Sequence, residues 1–130
     1  MIKANITKIL LTSVEYNFTK PNKNDIKISF SDEIQIRSLN ENGFLLNVMR
    51  VLDFGEKTGS FIKIVFEVEF ESSENYDKES ISEEIKNGIS KLSPVYSRMS
   101  LLISEICNLS PFGVIITPPM YNNDEIIIKW

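Results

Sequence analysis

The chain has 130 residues and a formal net charge of -4 at pH 7, and its lysines and arginines are scattered among acidic residues. This balance argues against a nucleic-acid-binding surface, because affinity for phosphates depends on clustered basic side chains. A single cysteine, Cys107, and the lack of histidine exclude an internal disulfide, a cysteine-rich metal site and histidine-based catalysis.

The length suits one globular domain, and we expect residues 1–130 to form a single domain. No run of about eighteen apolar residues is present to span a bilayer, and the N-terminal residues lack the apolar core of a signal peptide. We therefore expect a cytoplasmic protein without membrane insertion. Cys107 lies beside an apolar helix face with no histidine to activate it, which favours an inert thiol.

The first predicted element is a long strand over residues 2–18. Apolar residues alternate along it, but the alternation shifts phase between Ile6 and Ile9 and again after Leu11. Such shifts are typical of a bulge or bend, because one extra residue reverses which side chains share a face. A polar, turn-forming segment at residues 19–24 ends the strand.

Three further strands are predicted. Residues 25–38 alternate between apolar and polar side chains, which indicates a half-buried strand, and residues 40–43 form a turn. Residues 44–54 are apolar on both faces, which indicates a strand in the sheet interior or at a subunit contact. Residues 60–71 alternate most regularly. Four strands joined by short turns predict an antiparallel meander, covered by the helix or by a partner chain.

A helical region follows the meander. Ser80 and Glu83 have the spacing of a capping box, which predicts a helix start nearby. Pro94 would cost roughly 3 kcal/mol inside a continuous helix, so we expect two helical pieces with a kink or break at Ser93. The apolar positions recur at heptad-like spacing: Ile85, Ile89, Leu92, Tyr96, Met99, Ile103 and Ile106. This seam favours packing on the sheet, and helix pairing across subunits stays open.

The segment after the helix, residues 112–121, is named the strap. It is apolar and contains Pro118 and Pro119, which cannot donate backbone hydrogen bonds and favour an extended path over a surface. A turn at residues 122–124 and a strand-like stretch at residues 125–130 follow. The predicted fold class is α+β: a four-stranded antiparallel meander, a kinked or broken helix and an extended C-terminal segment.

The order of motifs between Pro94 and Tyr121 resembles the bacterial export chaperone SecB and its SecB-like relatives. The matching pieces are Pro94, Tyr96-Ser97-Arg98, Ser110-Pro111-Phe112, Val114-Ile115-Ile116 and Pro118-Pro119-Met120-Tyr121. Outside this stretch, the resemblance lies in the order of the elements. In that family the units assemble as a dimer of dimers, and unfolded polypeptide lies in apolar grooves. The resemblance therefore implies an ATP-independent holdase that is a homo-oligomer and uses no cofactor.

Two features depart from the export chaperone. The residues after Tyr121 are too few for the family's second C-terminal helix and tail, and residues 67–75 replace the glycine-containing, glutamine-rich segment expected after the fourth strand. Both departures make contact with the export motor SecA doubtful. A SecB-like chaperone that shields an antitoxin fits at least as well as one that holds preproteins.

Two apolar groups are candidate polypeptide-binding surfaces, because recognition of many unfolded sequences needs exposed apolar area and few directional contacts. The group on the strap is Phe112, Val114, Ile116, Met120 and Tyr121. The alternative is that these side chains close the core. The second group is Phe44, Leu45, Leu46 and Met49, where a core strand or a subunit interface is the favoured alternative.

An acidic row, Glu67, Glu69 and Glu71, is a candidate docking face for a basic partner. In the SecB family an acidic sheet surface is implicated in contacting SecA, and carboxylates on one strand face attract cationic surfaces in a salt-dependent way. The alternative is an ordinary solvated face. The spacing matches no cation-binding loop, so we predict no metal site.

The leading hypothesis is a cytoplasmic holdase for unfolded polypeptide clients, either preproteins or an antitoxin. The alternative is a non-catalytic structural or adaptor protein on the same scaffold, which binds one folded partner. We predict no enzyme activity.

Overall fold

The computed structural model of the chain describes residues 3–19, 28–54, 60–110 and 113–130. Within these ranges it has five strands, two α-helices and one 3₁₀ turn. Their bounds are β1 Ala4–Asn17, β2 Ser29–Asn40, β3 Gly43–Asp53, β4 Phe61–Ser72, α1 Lys78–Asn87, the 3₁₀ turn Ser90–Leu92, α2 Ser93–Asn108 and β5 Ile127–Lys129. The predicted turn at residues 19–24 lies almost wholly outside the described residues.

The strands form one sheet in the order β1-β4-β3-β2-β5. The predicted meander is correct for β2, β3 and β4, but it is wrong for β1, which pairs with β4 instead of β2. A two-residue turn joins β2 to β3 and makes them neighbours, whereas the connection from β1 to β2, residues 18–28, is long enough to reach the far side of the sheet. The short β5 runs parallel to β2 at the other edge.

Strand β1 carries two bulges where the sequence pattern changes phase. The pairing with β4 shifts register between Ile6 and Lys8 and again between Leu11 and Ser13, so Thr7 and Thr12 are the extra residues. The hydroxyl of Thr7 donates to the carbonyl of Glu69 at 3.3 Å, and the hydroxyl of Thr12 donates to that of Val65 at 3.2 Å. These side chains therefore tie the bulged positions to β4.

The core lies between one face of the sheet and the helices. Alternate residues of β3 and β4 face it, among them Leu46, Val48, Ile62, Ile64 and Val68. The helices cover this face with apolar side chains that are also buried: Ile81, Ile85, Ile89, Leu92, Val95, Tyr96, Met99, Ile103 and Cys107. Most of the predicted heptad-like seam therefore packs on the sheet of the same chain, and Ile106 is partly buried beside it.

The helical region is divided earlier than the sequence predicts. Helix α1 ends at Asn87, Gly88 follows with a φ of 91°, and a 3₁₀ turn precedes α2, whose first turn contains Pro94. Proline is compatible with that position because its missing N–H has no partner there. The start of α1 also differs, because Asp77 caps it by accepting a hydrogen bond from the Ser80 amide at 2.8 Å.

The described helices are α1, α2 and the 3₁₀ turn, and none of them has the length and apolar character needed to cross a membrane.

Candidate functional site

The strap has an exposed half and an anchored half. Phe112 lies outside the described residues. Val114 and Ile116 are 60% and 85% exposed, whereas Thr117 is buried directly after them. Met120 is partly buried against the core, and Tyr121 is buried. The structure therefore separates the predicted strap residues into two that face solvent and two that hold the segment in place.

The anchored half is held by a buried arginine. Arg50 belongs to the core-facing side of β3 and is fully buried. Its Nε donates to Asp32 Oδ1 at 2.6 Å and its Nη2 to Asp32 Oδ2 at 2.8 Å, which is a bidentate pair between opposite residues of β2 and β3. Burial of an arginine in the core is tolerable because this geometry satisfies its charge directly.

Arg50 also reaches the strap and α2. Its Nη1 donates to the carbonyl of Pro118 at 2.6 Å and to Thr117 Oγ1 at 3.1 Å. The Ser100 hydroxyl of α2 lies 3.0 Å from the carbonyls of both Thr117 and Pro118. Three elements, β3, α2 and the strap, therefore meet in one hydrogen-bonded cluster, which also includes Asp32 of β2.

Tyr121 anchors the end of the strap at the division between the helices. Its hydroxyl donates to the carbonyl of Ile85 at 2.6 Å and accepts from the amide of Ile89 at 2.9 Å. The Ile85 carbonyl also accepts from the Gly88 N–H at 3.1 Å, so the Tyr121 hydroxyl adds a second bond to the cap at the end of α1. The Tyr121 ring packs against that of Tyr96, with 5.3 Å between centroids. Burial raises the pKa of Tyr121 above its ordinary value.

The chain after the strap returns to the sheet. Residues of β5 pair with Glu33, Ile34 and Gln35 of β2, and Lys129 forms a 2.9 Å salt bridge with Glu33. The Lys78 ammonium lies 4.7 Å from the centroid of the Trp130 ring. The strap is therefore held between fixed elements on both sides, α2 before it and β5 after it.

The second predicted apolar group does not form one surface. Phe44 is buried and stacks on Phe70, with 4.6 Å between ring centroids, and Leu46 shares this core face. Leu45 and Met49 are partly buried on the opposite face of the sheet. The alternation of a strand sends neighbouring side chains to opposite faces, which explains the separation. In this structure Phe44 belongs to the core.

The acidic row lies on the sheet face opposite the helices. Glu69 and Glu71 are exposed and Glu67 is half-buried. Glu69 Oε1 accepts a hydrogen bond from the Thr7 hydroxyl at 3.2 Å. Leu45 and Glu69 are direct partners across β3 and β4, so the row borders a partly buried apolar side chain. The three carboxylates therefore share a face with Leu45 and Met49, away from the strap.

Sequence reasoning missed both the arginine cluster and an apolar region on β1. Leu11, Val14 and Tyr16 are exposed, although they share the core-facing side with buried residues of β4. A basic residue at position 50 in an otherwise apolar stretch was the available signal for the cluster. Periodicity alone treats such a residue as an interruption, because it identifies faces and not partners.

Two buried titratable groups have raised pKa values. Burial, followed by the nearby charge of Asp32, raises the pKa of Tyr96 well above its ordinary value. Its hydroxyl has no hydrogen-bond partner among the described residues. Burial raises the pKa of the Cys107 thiol to about 11, so the thiol stays protonated at neutral pH. The described residues hold no cluster of three side chains that could bind a metal ion.

Comparison with solved structures bears on the fold. The chain matches a SecB-like chaperone of Mycobacterium tuberculosis, solved in complex with a ChAD peptide from the HigA1 antitoxin, with a TM-score of 0.64 and 11% sequence identity. The match covers 91% of this chain and 88% of the other. The fold is SecB-like.

This likeness is structural. No protein-family model matches the chain, and no curated protein matches it. A protein of unknown function from Streptococcus agalactiae matches at a TM-score of 0.46 and 5% identity over 89% of this chain and 97% of that chain.

Proposed function

We propose that the chain is an ATP-independent chaperone, a holdase that binds unfolded or partly folded polypeptides on the exposed half of its strap. The observation that carries this proposal is the contrast between Ile116, 85% exposed, and the buried Thr117 beside it. An apolar side chain held in solvent by a fixed neighbour loses little conformational entropy when a client covers it. The proposal includes no catalytic step and no cofactor.

The class of client is argued from the comparison. The SecB-like chaperone of M. tuberculosis was solved with a peptide of an antitoxin. We extend this to propose a polypeptide client for this chain, either an antitoxin or a preprotein, in the cytoplasm. The antitoxin is favoured, because the matching SecB-like chaperone was solved with an antitoxin peptide.

Self-association is part of the proposal. Strand β1 spans 14 residues at the sheet edge, and no described strand pairs with its other side. Exposed Leu11, Val14 and Tyr16 lie along it. An unpaired edge with apolar side chains favours pairing with another chain, so we propose that this strand contributes to a homo-oligomer.

The chaperone proposal is tested by aggregation assays. Several unrelated clients are diluted from denaturant without nucleotide, with the wild-type chain, the V114S/I116S variant or the L101S variant. Leu101 is an exposed apolar residue of α2 and serves as the matched control. We expect the wild type and L101S to suppress aggregation and V114S/I116S to bind clients about tenfold more weakly, because apolar contact area is lost. A wild-type chain that leaves all clients aggregating would overturn the proposal.

A second candidate function is an adaptor that docks one folded basic partner on the acidic row. The observation that favours it is the continuous face formed by Glu67, Glu69, Glu71 and Leu45. An apolar fluorescent dye separates the two functions, because strong binding to the native chain favours the client surface. Loss of partner binding in E67Q/E69Q/E71Q, with aggregation suppression absent in the wild type, would support the adaptor.

A further inference from the structure

Arg50 touches three elements that are distant in sequence, through Asp32, Ser100 and the strap. We propose that Arg50 is a positioning residue that latches the strap to the sheet and thereby fixes where Val114 and Ile116 meet solvent. The latch itself follows from the geometry. Its effect on client binding rests on the proposed function.

The donors of Arg50 match the acceptors of the strap. A guanidinium group has five N–H donors and no acceptor. Asp32 receives two of them, and others point to Thr117 Oγ1 and to the carbonyls of Pro118 and Met120, the last at 3.5 Å. Pro118 and Pro119 have no N–H, so this part of the strap presents backbone acceptors alone. Arg50, together with the Ser100 hydroxyl, supplies donors to these acceptors.

Two aromatic rings shield the latch from water. The Arg50 guanidinium carbon lies 5.3 Å from the centroid of Phe30 and 5.1 Å from that of Tyr96. Both contacts add cation–π attraction, and the apolar surroundings strengthen the hydrogen bonds to the strap. Tyr96 closes the inner side, while Phe30, at 40% exposure, lies towards solvent. The latch is therefore a buried cluster one ring away from the surface.

The latch affects the exposed half of the strap through the backbone that joins the two halves. Thr117 is the last held residue, and Ile116 is bonded directly to it. At the other end Gly113 has a φ of 76°, and nothing lies within 4 Å of where its Cβ would be. The described part of the exposed half therefore lies between the buried Thr117 and Gly113, whose N–H donates to the carbonyl of Ser110 at 3.4 Å. Releasing Arg50 would leave the Ser100 hydroxyl and Tyr121 to hold the strap.

The first test replaces the ion pair by apolar residues. The D32L/R50M variant avoids leaving one charge buried alone, and replacements of this kind often preserve the fold. We expect hydrogen exchange at the amides of Gly113, which is hydrogen-bonded to Ser110, and of the buried Thr117 to be about tenfold faster than in the wild type, with exchange in α2 unchanged. Exchange in the strap within about twofold of wild type, in a folded variant, would overturn the latch.

A second variant decides the question if the first does not fold. S100A/T117V removes the hydroxyl contacts of the cluster and leaves the Arg50–Asp32 pair intact. Because the bond from Arg50 to the Pro118 carbonyl remains, we expect exchange in the strap to stay within about twofold of wild type, and exchange about tenfold faster would assign the anchoring to the hydroxyls and overturn the role of Arg50. R50K keeps the charge but lacks the fork that serves Asp32 and the strap together. It should behave as an unlatched variant, and wild-type exchange in a folded R50K would contradict the proposed role of the fork.

Client binding then separates the latch from the function. Folded variants with fast strap exchange should bind clients about fivefold more weakly than the wild type at a temperature well below the melting temperature of each variant. Fast exchange with unchanged client affinity overturns the positioning role. A wild-type chain that binds no client overturns the proposed function, and the exchange rates still judge the latch alone.

Discussion

The hydroxyl of Tyr121 donates to the carbonyl of Ile85, so the last residue of the strap closes the final turn of the first helix. The same oxygen accepts a hydrogen bond from the backbone beyond Gly88. One side chain thus joins the two sides of the division between α1 and α2. Its removal affects the helices as well as the strap.

Replacing this hydroxyl should destabilise the chain. We expect Y121F to lower the free energy of unfolding by about 1–3 kcal/mol, because the Ile89 amide loses the hydroxyl as its partner and the Ile85 carbonyl keeps only the Gly88 N–H. Urea denaturation measures the change. Y16F is the matched control, since Tyr16 is exposed on β1 and should give a change near zero. Equal effects of the two substitutions would contradict the bridging role of Tyr121.

Replacing Arg50 alone should lower the free energy of unfolding more than replacing both Arg50 and Asp32. R50M leaves the Asp32 carboxylate buried without its cation, and we expect a loss of about 3–5 kcal/mol. D32L/R50M should be closer to the wild type. Chemical denaturation of the three proteins measures the order. A single variant as stable as the double would mean that Asp32 finds another partner.

Alkaline pH should unfold the chain through its buried tyrosines. The folded pKa values of Tyr96 and Tyr121 lie above the ordinary value of 10.0. The stability that these groups contribute is fully present below pH 10.0 and is lost as the pH rises through the folded values, because the unfolded chain releases their protons first. Tyrosinate absorbance for two residues should therefore appear together with the loss of helix. Earlier ionisation of all four tyrosines in a folded chain would contradict this.

The turn between β2 and β3 should accept only glycine at position 43. A Cβ there would lie 1.8 Å from the carbonyl oxygen of Phe70, so we expect G43A to cost about 4 kcal/mol or more. G113A is the matched control, because its Cβ would meet open space and only the positive φ opposes it, at about 1 kcal/mol. Thermal unfolding compares them. A mild effect at Gly43 would mean that β4 moves aside.

The proposed homo-oligomer should depend on β1. We expect L11K/V14K to shift the native mass towards the monomer, because lysines on an edge strand oppose pairing with another chain. L101K adds one of the same charges on α2 and should leave the mass unchanged. Native mass spectrometry and analytical ultracentrifugation measure both. An unaltered oligomer in L11K/V14K would assign the contact to another surface.

Alternation of apolar residues was sufficient to place β2, β3 and β4, and the phase changes in β1 coincide with its bulges at Thr7 and Thr12. Alternation did not determine which strands are neighbours. Only tight turns carry that information, and residues 18–28 are too many for a tight turn. The partner of β1 depends on tertiary packing.

The sequence predicted where the candidate site lies, but not that the strap divides into an exposed half and an anchored half. Composition indicated an extended, apolar strap, yet exposure differs between Ile116 and Thr117, which no hydropathy pattern would suggest. The cause is a hydrogen-bonding partner from a remote strand, Arg50. Arg50 and Thr117 are 67 residues apart in the sequence. Local sequence cannot specify a partner at that distance.

The two edges of the sheet differ in how far they are covered. Strand β5 pairs with the outer side of β2 at residues 33–35, whereas the opposite edge is the much longer strand β1. Copies of a chain can pair edge to edge without limit only if both sheet edges of every molecule are free to pair with another chain. If β1 pairs with a second copy, as we propose, β5 opposes further addition at the other edge by covering part of β2. Residues 127–129 would thereby act against fibre formation while permitting a closed pair.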